Sequence, residues 1–522
     1  MGNKLNEWKQ IKVFFKALSI FEIICLTIFF FSKIWNKLLS DKEKIYFITI
    51  FLLLIATILL FYYIIVKRTK IKYENIFLIS VLLWGAIYNF SFPFASGADE
   101  NKAFGTSYYV ANTIIYHDDA MGELGGRKED VFEDYGNNNI VDISPIWYLS
   151  ISEGNWLGCD DGESAYIGYP PYTLSISWKY FVSIIAIIIG RGLQLGKYGL
   201  IYFTRYFSAL YVGVMGYIAI KIAPICKAHL AFIGMIPLFL GVSSSMCYDA
   251  EFYPFLMLFI SFFLKAYSSE TIAVKEAMLS IFFGMLFVFH KPFFILYLLL
   301  PIVCIIKKIG NMKENKSNKK DGKIKLLLVF GVIAFVSFLM ILKVGKRIFF
   351  HLLEDTGNNF SITYIFNNPK QTISVIINTF KNRGWWIVKQ IFFPAEAMGF
   401  TFNPPMWFFL MFIIVIVLLH IMFKDKAIER KYRVLGWFIV LGTVFGIVLG
   451  ALLRFISVEA IDSGYTITGR YVLPLFVLMI PISGNYNEES DGIYILYYIQ
   501  NSFLIISWCY LINNIFCRYF VW

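Results

Sequence analysis

Apolar runs of about 20 residues, long enough for a helix to cross roughly 30 Å of hydrocarbon, make up most of this sequence. One long acidic island interrupts them. It runs from Phe94 to Tyr172 and holds fourteen Asp or Glu against three Lys or Arg, a net charge of −11. Such a segment cannot enter hydrocarbon, so it must stand in water on one side of a membrane, held by the helices around it. The whole chain is +12, which leaves +23 on everything outside the island.

That balance excludes several function classes. With 58% hydrophobic and 16% charged residues and a mean hydropathy of +0.65, the chain is too apolar for a soluble domain. Its excess of Lys and Arg reflects membrane topology, because basic residues collect in cytoplasmic loops, and so gives no reason to expect nucleic acid. The seven cysteines are scattered, with only Cys159 in the island, so no disulfide framework is implied. No small-residue cleavage site follows the first apolar block, which is therefore read as a retained helix.

The charges also order the chain. Three apolar blocks, Val13–Trp35, Ile45–Val66 and Ile76–Phe94, precede the island, with basic residues before the first and after the second. The N-terminus is then cytoplasmic and the island outside, in a multi-pass protein of the cytoplasmic membrane. Between the island and the next basic loop lie Leu174–Gly190 and Gly199–Ile220. If only the second crosses, the later basic loops all fall inside, including Lys307–Lys325 with eight lysines and Lys424–Arg433 with five basic residues. Leu174–Gly190 is thus expected to lie along the surface or dip in and return. The remaining spans are Leu230–Gly241, Pro254–Phe263, Leu279–Phe289, Phe293–Ile306, Leu326–Leu342, Pro405–Phe423, Leu435–Phe455, Tyr471–Ile482 and Ile493–Phe516.

The expected fold is all-α and polytopic, with about 13 transmembrane helices (range about 11 to 14). Its organisation divides into N-terminal helices (1–93), an outer loop with a juxtamembrane segment (94–198), a helical block (199–344), a second outer loop (345–403) and C-terminal helices (404–522). The second outer loop carries six basic residues against three acidic ones, a net of +3. That breaks the positive-inside tendency and suggests that the loop faces an anion.

Charged residues at span ends are the candidates for chemistry. Asp99 and Glu100 follow the third block, and Phe104, Tyr108, Val110 and Ile114 then recur at roughly helical spacing. Asp99 reads either as a helix N-cap or as a general base taking a proton from a hydroxyl. Tyr169-Pro170-Pro171-Tyr172 closes the island. Arg205 sits near the outer end of a span, Asp249 follows Ser243-Ser244-Ser245, His290-Lys291-Pro292 interrupts two apolar runs, and Gly469-Arg470-Tyr471 opens a late span. End-of-span cations can snorkel to the interface; they also suit a phosphate, arginine by a bidentate fork. His117-Asp118-Asp119 and Cys159-Asp160-Asp161 offer metal-binding residue types, but adjacent side chains rarely converge on one ion. A divalent metal is therefore a secondary expectation, and no other cofactor is implied.

In this order the motifs resemble a bacterial family of predicted membrane proteins of unknown function, placed among the GT-C glycosyltransferases. They are Asp99-Glu100, Tyr169–Tyr172, Arg205, Ser243 to Asp249, Lys291-Pro292 and Gly469 to Pro474. The resemblance implies a GT-C-like fold and transfer of a sugar, with inversion, from a polyprenyl-phosphate donor to a cell-envelope glycan at the outer membrane face. Asp99 would be the base, with Glu100 beside it. Arg205, Lys291 and Arg470 would meet the donor phosphate. Tyr169, Tyr172, Asp249 and Tyr471 would line the substrate, next to membrane lipid. The family pattern often has His soon after Asp-Glu, where this chain has Ala103. Two other classes stay open: a transporter or flippase of lipid-linked sugars, and a polysaccharide polymerase or ligase.

The topology makes a direct prediction. Cysteines placed at Glu123 and Lys316 should label from opposite faces of the membrane; labelling from the same face would overturn the single crossing between Leu174 and Ile220.

Overall fold

A computed structural model describes residues 2–38, 41–67, 71–92, 94, 100–116, 125–127, 156–157, 164–166, 178–269, 273–302, 304–305, 367–392, 430–455, 469–483 and 492–519. These form α1 (Gly2–Phe29), α2 (Asp41–Val66), α3 (Tyr73–Ser91), α4 (Glu100–Tyr116), α5 (Phe181–Gly192), α6 (Lys197–Ile222), α7 (Lys227–Ile233), α8 (Pro237–Ser243), α9 (Tyr248–Ser268), α10 (Val274–His290), α11 (Pro369–Phe392), α12 (Arg430–Phe455), α13 (Gly469–Ser483) and α14 (Gly492–Tyr519). Among the described residues one strand pair forms, antiparallel β1 (Gly125–Arg127) and β2 (Ser164–Tyr166) with Gly126 opposite Ala165, beside a single bridge between Leu157 and Leu195.

Six of the described helical stretches are long and apolar enough to cross a membrane: Lys9–Lys37, Glu43–Val66, Tyr73–Ser91, Lys197–Ile222, Tyr248–Ser268 and Tyr494–Asn514. The chain is thus a multi-pass helical membrane protein, with fewer such helices among the described residues than the thirteen spans expected. The expected spans Leu326–Leu342 and Pro405–Phe423 lie outside the described residues. Within Leu174–Gly190, which is not counted among the expected spans, α5 begins; it has 12 residues, a rise of roughly 18 Å at 1.5 Å per residue, short of a crossing. It packs between α4 and α6.

The expected span Leu230–Gly241 is a broken helix, α7 and α8, seven residues each. Gly234 closes the first and Pro237 opens the second, positions that suit glycine at a helix end and proline at a helix start. Irregular backbone at membrane depth survives only inside protein, because lipid cannot satisfy its polar groups. Here Ala228–Ile233 and Pro237–Ser243 are all buried. Helix α14 supplies a donor at the break, Gln500 Nε2 donating to the Met235 carbonyl at 2.8 Å, and also holds the start of α7, Tyr497 Oη donating to the Ala228 carbonyl at 2.6 Å.

The core of this region is built on a close approach of α3. The Phe77 ring lies where Cβ atoms on Gly216 of α6 and Gly234 would stand, 2.2 and 2.4 Å away. Overpacking a tight interior costs about 1–3 kcal/mol. Gly216→Val should therefore lower the thermal unfolding temperature of the detergent-purified protein, and adding Phe77→Ala should recover part of the loss, a non-additivity expected of residues in contact.

Candidate functional site

Helix ends place the polar residues together. The C-terminal end of α3, the N-termini of α4, α9 and α13, the C-terminus of α10 and the first third of α6 meet in one region, where two ionic centres form inside the apolar bundle.

The first centre joins Glu100 and Arg205, both essentially inaccessible to solvent. Arg205 Nε donates to Glu100 Oε1 at 2.7 Å and Nη2 to Oε2 at 2.6 Å, the bidentate fork that suits a carboxylate. Arg205 Nη1 donates to the Phe92 carbonyl at 2.7 Å, so the guanidinium also closes the end of α3. The Met246 backbone N–H donates to Glu100 Oε1 at 3.2 Å and ties in the turn before α9. The carboxylate and the guanidinium thus engage each other along their hydrogen-bonding edges. The sequence reading set Arg205 toward a donor phosphate and Glu100 beside a base; the structure gives them to each other.

The second centre starts three residues past Met246. Asp249 lies in the first turn of α9, where a carboxylate suits the helix dipole, but it is wholly buried and faces cations from two other helices. Lys291 Nζ stands 2.8 Å from Asp249 Oδ1, and Arg470 Nε 3.9 Å from Oδ2. Lys291 owes its position to the following proline, which disfavours helix at the residue before it. It caps α10 with φ −121° and ψ 84°, and Pro292 begins the 3-10 turn Pro292–Leu298. Aromatic faces wall the cations: Lys291 Nζ is 4.5 Å from the Tyr471 ring centre and 5.9 Å from that of Tyr253, and the Arg470 guanidinium is 5.6 and 5.5 Å from Tyr248 and Tyr471. Such contacts strengthen when desolvated.

A backbone atom completes this centre. The Arg470 carbonyl would ordinarily accept from the N–H four residues on, but that residue is Pro474, which has none. Instead it accepts from Tyr253 Oη at 3.0 Å and Lys291 Nζ at 3.4 Å. Two further buried groups were given no role in the sequence reading. His290 stacks on Phe252 at 3.8 Å with Nε2 3.7 Å from Asp249 Oδ1. Glu251 accepts from the Val182 N–H at 3.1 Å, the Ser183 N–H at 3.3 Å and the Ser183 hydroxyl at 3.2 Å, capping α5 from a neighbouring helix. The signal for Glu251 was the unusual Asp-x-Glu at the head of an apolar run. The serines before it are internally satisfied, Ser243, Ser244 and Ser245 donating to the carbonyls of Phe239, Leu240 and Val242 at 2.7, 2.7 and 2.8 Å.

Of the expected site residues, Asp249, Lys291, Arg470 and Tyr471 are thus brought together, and Glu100 with Arg205 forms the adjoining pair. Asp99, Tyr169 and Tyr172 lie outside the described residues, as do His117-Asp118-Asp119 and Cys159-Asp160-Asp161. Among the described residues no group of three or more His, Cys, Asp or Glu is arranged to hold a metal ion.

A family model described as "Predicted membrane protein (DUF2142)" matches residues 163–479, more than half of the chain, and the chain belongs to that family. The match includes Arg205, Asp249, Lys291 and Arg470 and begins after Asp99 and Glu100. No curated protein and no solved structure matches the chain.

The Glu100–Arg205 pair predicts a stability effect. Removing one partner of a buried pair leaves the other charge uncompensated, at about 3–5 kcal/mol. Glu100→Gln should therefore unfold at markedly lower temperature in detergent, and the double variant Glu100→Gln, Arg205→Met should be more stable than Glu100→Gln alone.

Proposed function

We propose that this member of the family is a glycosyltransferase of GT-C type, moving a sugar from a polyprenyl-phosphate donor to a cell-envelope glycan at the outer face of the cytoplasmic membrane. The observation that carries the reading is the meeting of Lys291 and Arg470 with Asp249 and Tyr471 at helix ends in an apolar bundle. A lipid-linked donor keeps its polyprenyl chain in hydrocarbon and its phosphate at the membrane boundary, the depth at which helix-end cations stand. The reading takes the N-terminus as cytoplasmic and this end of the bundle as extracytoplasmic.

In this scheme Asp99, just before α4, accepts the proton of the acceptor hydroxyl. The oxygen attacks the anomeric carbon, the bond from that carbon to the phosphate oxygen breaks, and the lipid phosphate leaves from the opposite face, so configuration inverts. Lys291 and Arg470 stabilise the charge that grows on the phosphate, a preorganised electrostatic contribution worth about 10²–10³ in rate per donor lost. Asp249 keeps the two cations in place before the donor arrives. The Glu100–Arg205 pair holds the framework and takes no part in the chemistry.

The test is turnover of a polyprenyl-phosphate sugar by purified protein in lipid. Lys291→Ala should lose about a hundredfold in rate. Arg470→Lys should also be impaired, because lysine lacks the planar fork. Asp99→Asn should retain donor binding while losing most transfer, whereas a residue acting only as an N-cap would tolerate Asn. Near wild-type turnover in all three stably folded variants would remove the proposal. Movement of intact lipid-linked sugar between leaflets without transfer would replace it with transport.

A further inference from the structure

Helix α11 falls within the stretch expected to be a second outer loop, and its three faces differ in kind. Thr372, Val375 and Thr379 are buried on one side, where the helix packs against α8 and α13. On another face Ile373, Ile377 and Phe380 recur at i, i+4 and i+7 and are 56%, 57% and 46% exposed. Lys370 and Lys381 are exposed and border that apolar stripe along one edge, both about 60–80° round the helix from Ile373 in the same sense at 100° per residue. The 24 residues of Pro369–Phe392 contain Lys370, Lys381, Arg383 and Lys389 and no Asp or Glu. The helix is long enough to span a bilayer, but it is not among the helices apolar enough to do so.

An apolar stripe bordered by cations, on a helix with no acidic residue, is the pattern of a helix lying in the plane of a membrane interface. We infer that α11 binds the surface of an anionic bilayer, its isoleucines and Phe380 entering the acyl boundary and Lys370 and Lys381 meeting lipid phosphates. Water is a poor partner for three adjacent exposed apolar side chains. A neutral lipid surface would leave the charge bias of the helix without purpose. Both helices that α11 packs on have one end at the ionic centres: α8 leads through Ser245 to Met246, and α13 begins at Gly469-Arg470. Anchoring α11 therefore fixes the level of those centres relative to the lipid headgroups.

The experiment labels full-length Ile377→Cys protein with an environment-sensitive fluorophore, using identically treated wild-type protein as the blank for native cysteines. It is reconstituted in phosphatidylcholine vesicles with and without phosphatidylglycerol. The expected result is a blue-shifted, iodide-protected emission in the anionic vesicles that is weaker in neutral ones, and reversal of that difference by Lys370→Gln with Lys381→Gln or by high salt. A thermal unfolding curve unchanged by the lysine substitutions confirms that they report binding. Equal emission in both lipids, or a water-exposed probe throughout, would overturn the inference. So would strong quenching by a bilayer-centre quencher, which would mean a spanning helix. None of these readouts depends on sugar transfer.

Discussion

Burying an arginine fixes where the chain segments of this protein meet. A guanidinium cannot be left inside an apolar bundle without a carboxylate and further hydrogen bonds, because its lost hydration would cost several kcal/mol. Arg205 meets that demand with Glu100 on two nitrogens and the Phe92 carbonyl on the third. Glu100 in turn receives the Met246 N–H. One ion pair thereby sets the end of α3, the start of α4, the register of α6 and the turn into α9. Asp249 sits just beyond that turn, so the second ionic centre inherits its position from the first.

The membrane class and the out-of-place charges were legible in the sequence. Arg205, Asp249, Lys291 and Arg470 stand out because each interrupts apolar sequence, and a charge there needs a partner or water. The partners themselves were not legible. Glu100 and Arg205 are 105 residues apart, and Lys291 and Arg470 are 179 apart; nothing in local spacing links them. The carboxylates that meet these cations come from elsewhere in the chain: Glu100 for Arg205, and Asp249 for Lys291 and Arg470. Span length was also misread, for a physical reason. Hydropathy registers how apolar a stretch is, not whether a Gly or Pro breaks it, so α7 and α8 read as one continuous helix; Gln500 shows how the break at Met235 is satisfied.

Helix α9 serves two masters in one turn. Asp249 faces the cations of α10 and α13, while Glu251, two residues on, caps α5. The short helix following the acidic island and the ionic centre are thus coupled through a single rigid element. A displacement of α5 would pull on the first turn of α9 and on the carboxylate that holds Lys291.

Pro474 acts on the site through a hydrogen it does not have. It touches neither cation with a polar atom, yet its missing N–H frees the Arg470 carbonyl that Tyr253 and Lys291 share. A survey that ranked residues by the side-chain groups they offer would pass over it. Any other residue at that position would offer the carbonyl a donor from its own helix, in competition with Tyr253 and Lys291. The geometry of this centre is therefore written partly in a main-chain atom, which stays in place whatever side chain stands at position 470 and which a change one turn away would redirect.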